Sequence, residues 1–188
     1  MSTSSAPFGL QPVYHASGFV RPAAFTLADN AAVTLLQYQP VAINTSTGVV
    51  TPATVGNAFV GTFMGVEFTD SDGRRRVSNK FIANTPATNV TAYITRDPAI
   101  VYQIQANGSV AISNIGNQFD FGSITAGNTT VGLSQAVLDT ASVVASGGVA
   151  QMRVIGITPG PDNNWGDAYT IVQVQISQHQ DVADINAY

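Results

Sequence analysis

Charge in this chain is concentrated in one short stretch, FTDSDGRRRVSNK, which spans residues 68–80. The stretch holds three of the six arginines, the single lysine and two aspartates. Carboxylates at Asp70 and Asp72 could hold calcium, and the guanidinium groups could clamp a phosphate. The whole set could also dock on another protein chain.

The calcium interpretation fails on spacing, and the phosphate interpretation is weakened by geometry. A calcium loop that starts at Asp70 has Arg74 at its fifth position and Phe81 at its twelfth, where oxygen ligands are required. A phosphate clamp needs arginines on one side, but strand alternation sends Arg75 to the side opposite its neighbours. Asp70 and Asp72 would also compete with a bound anion.

Two interpretations of the stretch remain open. Residues 71–73 form a hairpin loop whose charges are solvated, or the tip of this hairpin contacts another subunit. In the second case Arg74 and Arg76 pair with carboxylates of the neighbour, because guanidinium groups suit planar carboxylate partners. Asp70 and Asp72 then hold the turn.

Outside this stretch the residues predict no chemistry. His15 and His179 lie near the two ends without acidic residues at a metal-binding spacing, which favours packed side chains over ligands. The chain has no cysteine, G-x-S-x-G motif, phosphate loop or paired-carboxylate motif. We therefore expect no enzyme, and we predict no catalytic residue, cofactor or metal.

Trp165, in the turn-rich segment PGPDNNWGD, is as typical of an interface anchor as of a core residue.

The composition favours a protein that functions inside an assembly. Of the 188 residues 45% are hydrophobic and only 10% are charged, so uncharged polar side chains must cover a surface that is easily desolvated. The net charge of −4 lacks the general footprint of a nucleic-acid binder. The chain shows no signal-peptide pattern and no apolar window of about 18 residues, so we expect synthesis in a cytoplasm and no membrane partner.

Hydrophobic periodicity predicts strands. The segment IVQVQIS, residues 171–177, alternates apolar and polar residues as a half-buried strand does. We predict one hairpin around residues 45–47 and another with a type I′ turn at Asn107-Gly108. A long strand is predicted in residues 58–68, where Gly61 and Gly65 indicate bulges or close backbone approach. Only residues 138–145 carry a weak helical signal, so the fold is expected to be mainly β, an antiparallel β-barrel or sandwich.

The two ends lack strand alternation and predict extended arms. We divide the chain into an N-terminal arm of residues 1–19, a β-rich domain of residues 20–177 and a C-terminal arm of residues 178–188. The arms carry aromatic and apolar residues that a free tail has no reason to keep, so they are expected to reach neighbouring subunits. The predicted intersubunit contacts are Phe8, Leu10, Tyr14, Phe19, Arg74, Arg76, Trp165, Ile185 and Tyr188.

Several segments resemble structural proteins of bacteriophage particles. QPVAINTSTGVVTPATVGNAFVGTFMGVEF, residues 39–68, is similar to the repeating pattern of tailed-bacteriophage head decoration, or cement, proteins. The same resemblance extends to four further segments that, with the first, cover well over half of the chain: APFGLQPVYHASG, EFTDSDGRRRVSN, TRDPAIVYQIQANG and PDNNWGDAYTIVQVQISQHQ.

The resemblance implies a β-rich protein on the outer surface of an icosahedral head, where it stabilises contacts between capsomers. It implies the major capsid protein as partner, and self-association as a homo-oligomer, with a trimer slightly favoured over a dimer. The chain would then be located in the virion after synthesis in the host cytoplasm. Another virion component, such as a tail-tube or tail-fibre accessory protein, stays open. A depolymerase or carbohydrate-binding module rests only on the polar loop around Trp165.

Overall fold

Segments that alternate apolar and polar residues form strands at intervals along the chain. The computed structural model describes residues 2–187, which form seventeen strands and two 3₁₀ helices. The strands are β1 (Gln11–Tyr14), β2 (Ala23–Thr26), β3 (Leu35–Leu36), β4 (Pro40–Ile43), β5 (Val50–Pro52), β6 (Gly61–Asp70), β7 (Arg75–Ser78), β8 (Lys80–Phe81), β9 (Ala87–Ile94), β10 (Val101–Gln105), β11 (Gln118–Phe119), β12 (Phe121–Gly122), β13 (Gly127–Asn128), β14 (Leu133–Ser134), β15 (Val137–Leu138), β16 (Met152–Ile157) and β17 (Ile171–Ile176). The 3₁₀ helices span Ile112–Asn114 and Thr140–Ser142, and within residues 2–187 no helix could cross a membrane.

One large antiparallel sheet has the strand order β1-β10-β17-β16-β11. In β17 the side chains of Val172, Val174 and Ile176 are buried while Gln173 and Gln175 are half-buried, which confirms the predicted alternation. The buried face belongs to a first hydrophobic core, which also takes in residues of β12 and β15. This sheet is open, with β1 and β11 as its edges.

The second large sheet has the order β2-β9-β6-β4-β5, and β7 also pairs with β6. The β4–β5 hairpin encloses the predicted loop around residues 45–47, and the β6–β7 hairpin has the predicted loop at residues 71–73, so both predictions are confirmed. A second core on this sheet includes Phe63, Val66 and Phe81. This sheet is open too, so the mainly β prediction is confirmed and the closed barrel is wrong.

Strand β6 is the centre of the second sheet, and its glycines act as the sequence predicts. The β6–β9 register shifts between Phe63 and Gly65, which is the expected bulge. At Gly61 a Cβ would lie 2.1 Å from the carbonyl oxygen of Thr95, so only glycine lets the two backbones come this close.

The hairpin predicted at Asn107-Gly108 does not form. Both edges of β10 are already paired, with β1 and β17, so a following strand has no free edge there. Neither turn residue has the positive φ that a type I′ turn requires. The Asn107 side chain instead accepts hydrogen bonds from the backbone N–H and hydroxyl of Thr140, both at 2.9 Å, and Val110 is buried in the first core. The prediction is therefore wrong, because tertiary contacts override the local turn preference.

Glutamine side chains bond main-chain groups where no regular strand pairing is present. A primary amide offers one acceptor and donors like those of a peptide group, so it can bridge two segments as a strand would. The bonds are Gln105 with Ala6 N (2.8 Å) and Ser4 O (3.0 Å), Gln118 with Ala150 N (2.8 Å) and Ile185 O (2.5 Å), Gln151 with Phe121 N (3.2 Å), Thr54 O (2.9 Å) and Asn57 O (2.8 Å), and Gln180 with Ile43 N (2.7 Å) and Ile43 O (3.0 Å).

Both terminal segments pack on their own chain instead of extending as arms. Leu10 is fully buried in the first core, so its predicted role as an intersubunit contact is wrong. At the other end, the backbone N–H of Ala187 donates to the carbonyl oxygen of Gly148 at 2.9 Å. Main-chain groups in these segments find partners within the chain because leaving them unpaired when buried is costly. Tyr188 lies outside the described residues.

We expect replacement of Gln151 by alanine to destabilise the protein strongly. Gln151 is fully buried, and its loss leaves one N–H and two carbonyl groups without their partner. The free energy of unfolding should fall by about 3 kcal/mol, measured by urea denaturation followed through the fluorescence of Trp165. Gln173→Ala is the matched control, because Gln173 is half-buried and its amide makes no hydrogen bond within residues 2–187. It should change stability by no more than about 0.5 kcal/mol.

A second pair of variants tests the backbone contact of β6. Gly61→Ala forces Thr95 and β6 apart and should cost about 3 kcal/mol in unfolding free energy. Gly156→Ala lies at a bulge of the other sheet, where the nearest atom to a Cβ would be 3.8 Å away. The control should be neutral or slightly stabilising, since alanine restricts the unfolded chain. Equal effects of the two changes would contradict the close-approach interpretation.

Candidate functional site

An exposed corner lies where the chain passes from one large sheet to the other. Residues 15–22 connect β1, an edge of the first sheet, to β2, an edge of the second. Val20 packs against the first core, while its neighbour Phe19 is 67% exposed. Tyr14, at the end of β1, is 57% exposed. We call Tyr14, Phe19 and Arg21, with the cluster around His15, the corner surface.

His15 fixes the conformation of this corner. Its Nδ1 lies 2.6 Å from the Ser17 hydroxyl oxygen and accepts a bond from the Ser17 backbone N–H at 3.2 Å. Its Nε2 lies 3.2 Å from a carboxylate oxygen of Asp97. Since Nδ1 accepts a backbone bond, a neutral His15 carries its proton on Nε2 and donates it to Asp97. In the turn at Asp97, the backbone N–H of Ala99 donates to Asp97 Oδ1 at 2.8 Å.

His15 contacts Ser17 with one ring nitrogen and Asp97 with the other, as the histidine of a hydrolytic triad does, but the geometry favours a structural role. In a triad the ring nitrogen that faces the serine is free to take its proton. Here that nitrogen also holds the backbone N–H of Ser17 itself, two residues along the same tight turn. We interpret the cluster as a clamp that joins residues 15–17 to the β9–β10 turn.

Arg21 provides the corner surface with a cation that has no acidic partner. Its guanidinium carbon lies 5.8 Å from the centroid of the Phe19 ring, and no carboxylate within residues 2–187 forms an ion pair with it. A cavity of about 310 Å³ lies between this pair and the His15 cluster, with the buried Ile100 on its wall. An aromatic face beside an unpaired guanidinium can receive a carboxylate or an aromatic side chain.

The charged hairpin pairs most of its own arginines. Asp70 accepts a bond from Arg76 Nε at 2.6 Å and from the backbone N–H groups of Asp72 and Arg74 at 3.0 Å each. These bonds, led by that from Arg76, lower the pKa of Asp70. Asp70 therefore holds the turn, as predicted, and its second oxygen is occupied by Arg76. The Asp72 side chain makes no hydrogen bond within residues 2–187, so only its backbone N–H takes part in the turn.

Arg75 points to the other face of the hairpin, as strand alternation predicts. Its Nε bonds Glu67 Oε1 at 2.5 Å, and the other oxygen of Glu67 accepts the Tyr93 hydroxyl at 2.9 Å. Both bonds lower the pKa of Glu67, with the larger effect from Arg75.

The predicted pairing of Arg76 with a neighbouring subunit is not what the structure shows, because Asp70 of the same chain takes that bond. Arg74 is exposed and has no ion pair within residues 2–187, so its intersubunit contact stays a prediction.

The remaining predicted contacts differ in exposure. Phe8 is half-buried, and Trp165 is half-buried against the first core, so Trp165 is in part a core residue. Ile185 is 37% exposed, and its backbone N–H donates to Ser177 O at 3.1 Å. Arg21 and the His15–Asp97 pair were missed, because nothing in the sequence indicates that residues so far apart meet.

The C-terminal segment is held at a buried histidine. His179 is 1% exposed, its Nδ1 accepts the Asp181 backbone N–H at 3.1 Å, and its Nε2 has no hydrogen-bond partner within the described chain. Burial lowers the pKa of His179, and the carboxylate of Asp181 opposes this shift. Arg96 in turn binds Asp181 through two bonds, of 2.5 and 2.8 Å.

No protein-family model, curated protein or solved structure matches this chain.

We expect stability to fall on mild acidification because of His179. Its pKa in the folded state lies below the ordinary value of 6.5, so the unfolded chain takes up this proton first. The stabilisation present above about pH 6.5 is therefore lost as the pH falls toward the folded-state pKa, by at most about 1.4 kcal/mol per pH unit. Urea denaturation between about pH 7.5 and pH 5 measures this slope. His179→Gln should remove this slope, and a flat profile for the unmodified protein would rule out the effect of His179.

Proposed function

We propose that this protein is a structural component of a bacteriophage particle, bound to the outer surface of the head, where it joins neighbouring capsomers. Its partners are the major capsid protein and further copies of itself, as a homo-oligomer in which a trimer is slightly favoured over a dimer. The segments that resemble head decoration proteins support this proposal. The proposal includes a sandwich-like arrangement of the two open sheets. It also includes location of the protein in the virion.

The corner surface is the observation that carries the proposal. Tyr14 and Phe19 expose aromatic area beside Arg21, and these residue types are enriched in the centres of protein interfaces. The aromatic rings lose little conformational entropy on binding, and within residues 2–187 no carboxylate forms an ion pair with Arg21. The corner surface therefore suits a protein partner that supplies a carboxylate and an apolar contact.

Strand β1 adds a second feature to the same surface. It is an edge strand of the first sheet, with β10 on its one paired side. The other side of β1 offers main-chain groups to which an extended segment of a partner can add as a further strand. Tyr14 lies at the end of this strand, so strand addition and side-chain contacts at the corner would reinforce each other.

The scarcity of charge fits repeated contacts on a shell. Only 10% of the residues are charged, and Arg75, Arg76 and Arg96 are paired within the chain, so much of the surface can be desolvated without burying an unpaired charge. Each bound copy stabilises the assembled shell by mass action, in proportion to its affinity and its free concentration. Arg74 at the hairpin tip is the second predicted contact.

Immunogold labelling of the particles of the encoding phage separates the two virion locations. We expect label on the head, whereas label on the tail would support the tail-tube or tail-fibre alternative. Absence of the chain from purified particles would show that the proposal is wrong.

The corner surface itself is tested with variants that leave the cores intact. We expect Phe19→Ser and Arg21→Glu each to weaken binding to heads lacking the protein by at least tenfold, or about 1.4 kcal/mol. Co-sedimentation of purified protein with those heads measures the affinity. Ile112→Ser is the matched control, since Ile112 is 63% exposed but lies outside the corner surface, and it should bind within about twofold of the unmodified protein. Normal binding of both corner variants would exclude this surface as the contact.

A further inference from the structure

A polar groove of about 530 Å³ lies away from the corner surface. Its walls come from the N-terminal segment, the turn after β10, the segments around β12 to β15 and the loop before β17. This volume falls within the range of about 300–1,000 Å³ that small-molecule sites occupy. The groove is therefore large enough for a ligand, and its chemistry can be deduced from its lining.

Hydrogen bonds hold the walls of the groove in place. Tyr169 N–H donates to Ser2 O at 2.7 Å, which joins the loop before β17 to the N-terminal segment. Gln135 N–H donates to Ala126 O at 2.7 Å, which joins the segment after β14 to the segment after β12. The Asn107 side chain donates a hydrogen bond to the Asp139 carboxylate and accepts one from the Thr140 backbone N–H. It therefore supports the wall and is not available to a ligand. A groove held in this way needs little reorganisation on binding.

Four side-chain groups that line the groove have no hydrogen-bond partner within residues 2–187. They are the hydroxyl groups of Ser5, Ser123 and Tyr169 and the amide of Gln135. Hydroxyls and amides both donate and accept hydrogen bonds. Apolar surface from Pro7 and Val137 lies beside them.

The lining restricts the class of ligand. No Asp, Glu, Lys, Arg or His lines the groove, so a charged ligand would lose hydration without gaining a countercharge. A purely apolar ligand would cover the four polar groups and leave them unpaired, which costs free energy for each group. A neutral ligand with many hydroxyl groups and some apolar C–H surface satisfies both requirements.

We propose that this groove binds a carbohydrate. Tyr169 offers a ring face to the C–H side of a sugar and a hydroxyl to its polar edge, since tyrosine combines the two properties. Gln135 and the two serines then pair with sugar hydroxyl groups. From the sequence, the loop around Trp165 was the only feature that favoured carbohydrate binding. Trp165 packs against the first core, however, and it is Tyr169 of the same loop that lines the groove.

The backbone of Ser123 agrees with this assignment. Its φ of +49° lies in the left-handed region, which is costly for a residue with a side chain. The Ser123 carbonyl accepts the Ala126 N–H at 2.9 Å in this conformation, which shapes the tight bend on the wall of the groove. The bend places Ser123 on the wall of the groove.

The test uses the purified full-length protein on a glycan array, followed by NMR titration with the methyl glycosides of glucose, galactose, mannose, rhamnose and N-acetylglucosamine. We expect binding at millimolar or lower concentration, with amide shift changes confined to the segments around residues 5, 123, 135 and 169. No array signal together with no shift change at millimolar glycoside would overturn the proposal. Equal shift changes with the capped, uncharged peptide N-acetyl-Ala-Ala-Ala-amide would also overturn it, because the groove would then recognise amides in general.

Variants locate the site and separate it from the proposed function. Tyr169→Ala and Gln135→Ala should each weaken the affinity for the bound glycan at least tenfold, and Tyr169→Phe should have a smaller effect because the ring is kept. Tyr14→Ala is the matched control, since it removes an exposed tyrosine of the corner surface and should leave glycan affinity within twofold. Unchanged affinity in both groove variants would overturn the assignment. None of these results depends on where the protein sits in a particle, so failure here leaves the proposed function untouched.

Discussion

The structure depends on side-chain amides that take the place of strand pairing. Four glutamines, Gln105, Gln118, Gln151 and Gln180, bond main-chain groups of segments that have no strand of their own to pair with there. A chain with so little charge has few ion pairs for this purpose, and a buried amide with both ends bonded avoids the cost of an unpaired polar group. Neutral hydrogen bonds therefore fix the terminal segments and the long connections to the two open sheets, together with the Arg96–Asp181 ion pair at the C-terminal segment.

The same scarcity of charge gives the exposed surface its character. Ion pairs such as Arg76–Asp70 and Arg96–Asp181 leave few cations available to a partner. Arg21, beside Phe19 at the corner surface, forms no ion pair within residues 2–187. The polar groove has the opposite character, with hydroxyl and amide groups and no charge. Two surfaces of such different chemistry suit two different ligands, a protein partner with a carboxylate and a neutral polyol.

Much of the fold could be predicted because its signals are local. The alternation in β17, the loops of the β4–β5 and β6–β7 hairpins, and the bulge near Gly65 all follow from residues that lie next to one another. Asn107-Gly108 was mispredicted although its dipeptide is the strongest hairpin signal in the chain. Both edges of β10 were already occupied, and no local pattern reveals the occupancy of an edge.

The sequence by itself determined the mainly β class, the turn held by Asp70 and the opposed directions of Arg75 and Arg76. Each follows from period-two geometry or from steric limits within a few residues. Only the tertiary structure decided that Leu10 is a core residue, that the ends pack on their own chain, and that His15 meets Asp97. It also decided that Tyr169, not Trp165, lines the groove. These outcomes depend on contacts between residues far apart in the chain, whose partners are chosen by the packing of the whole molecule.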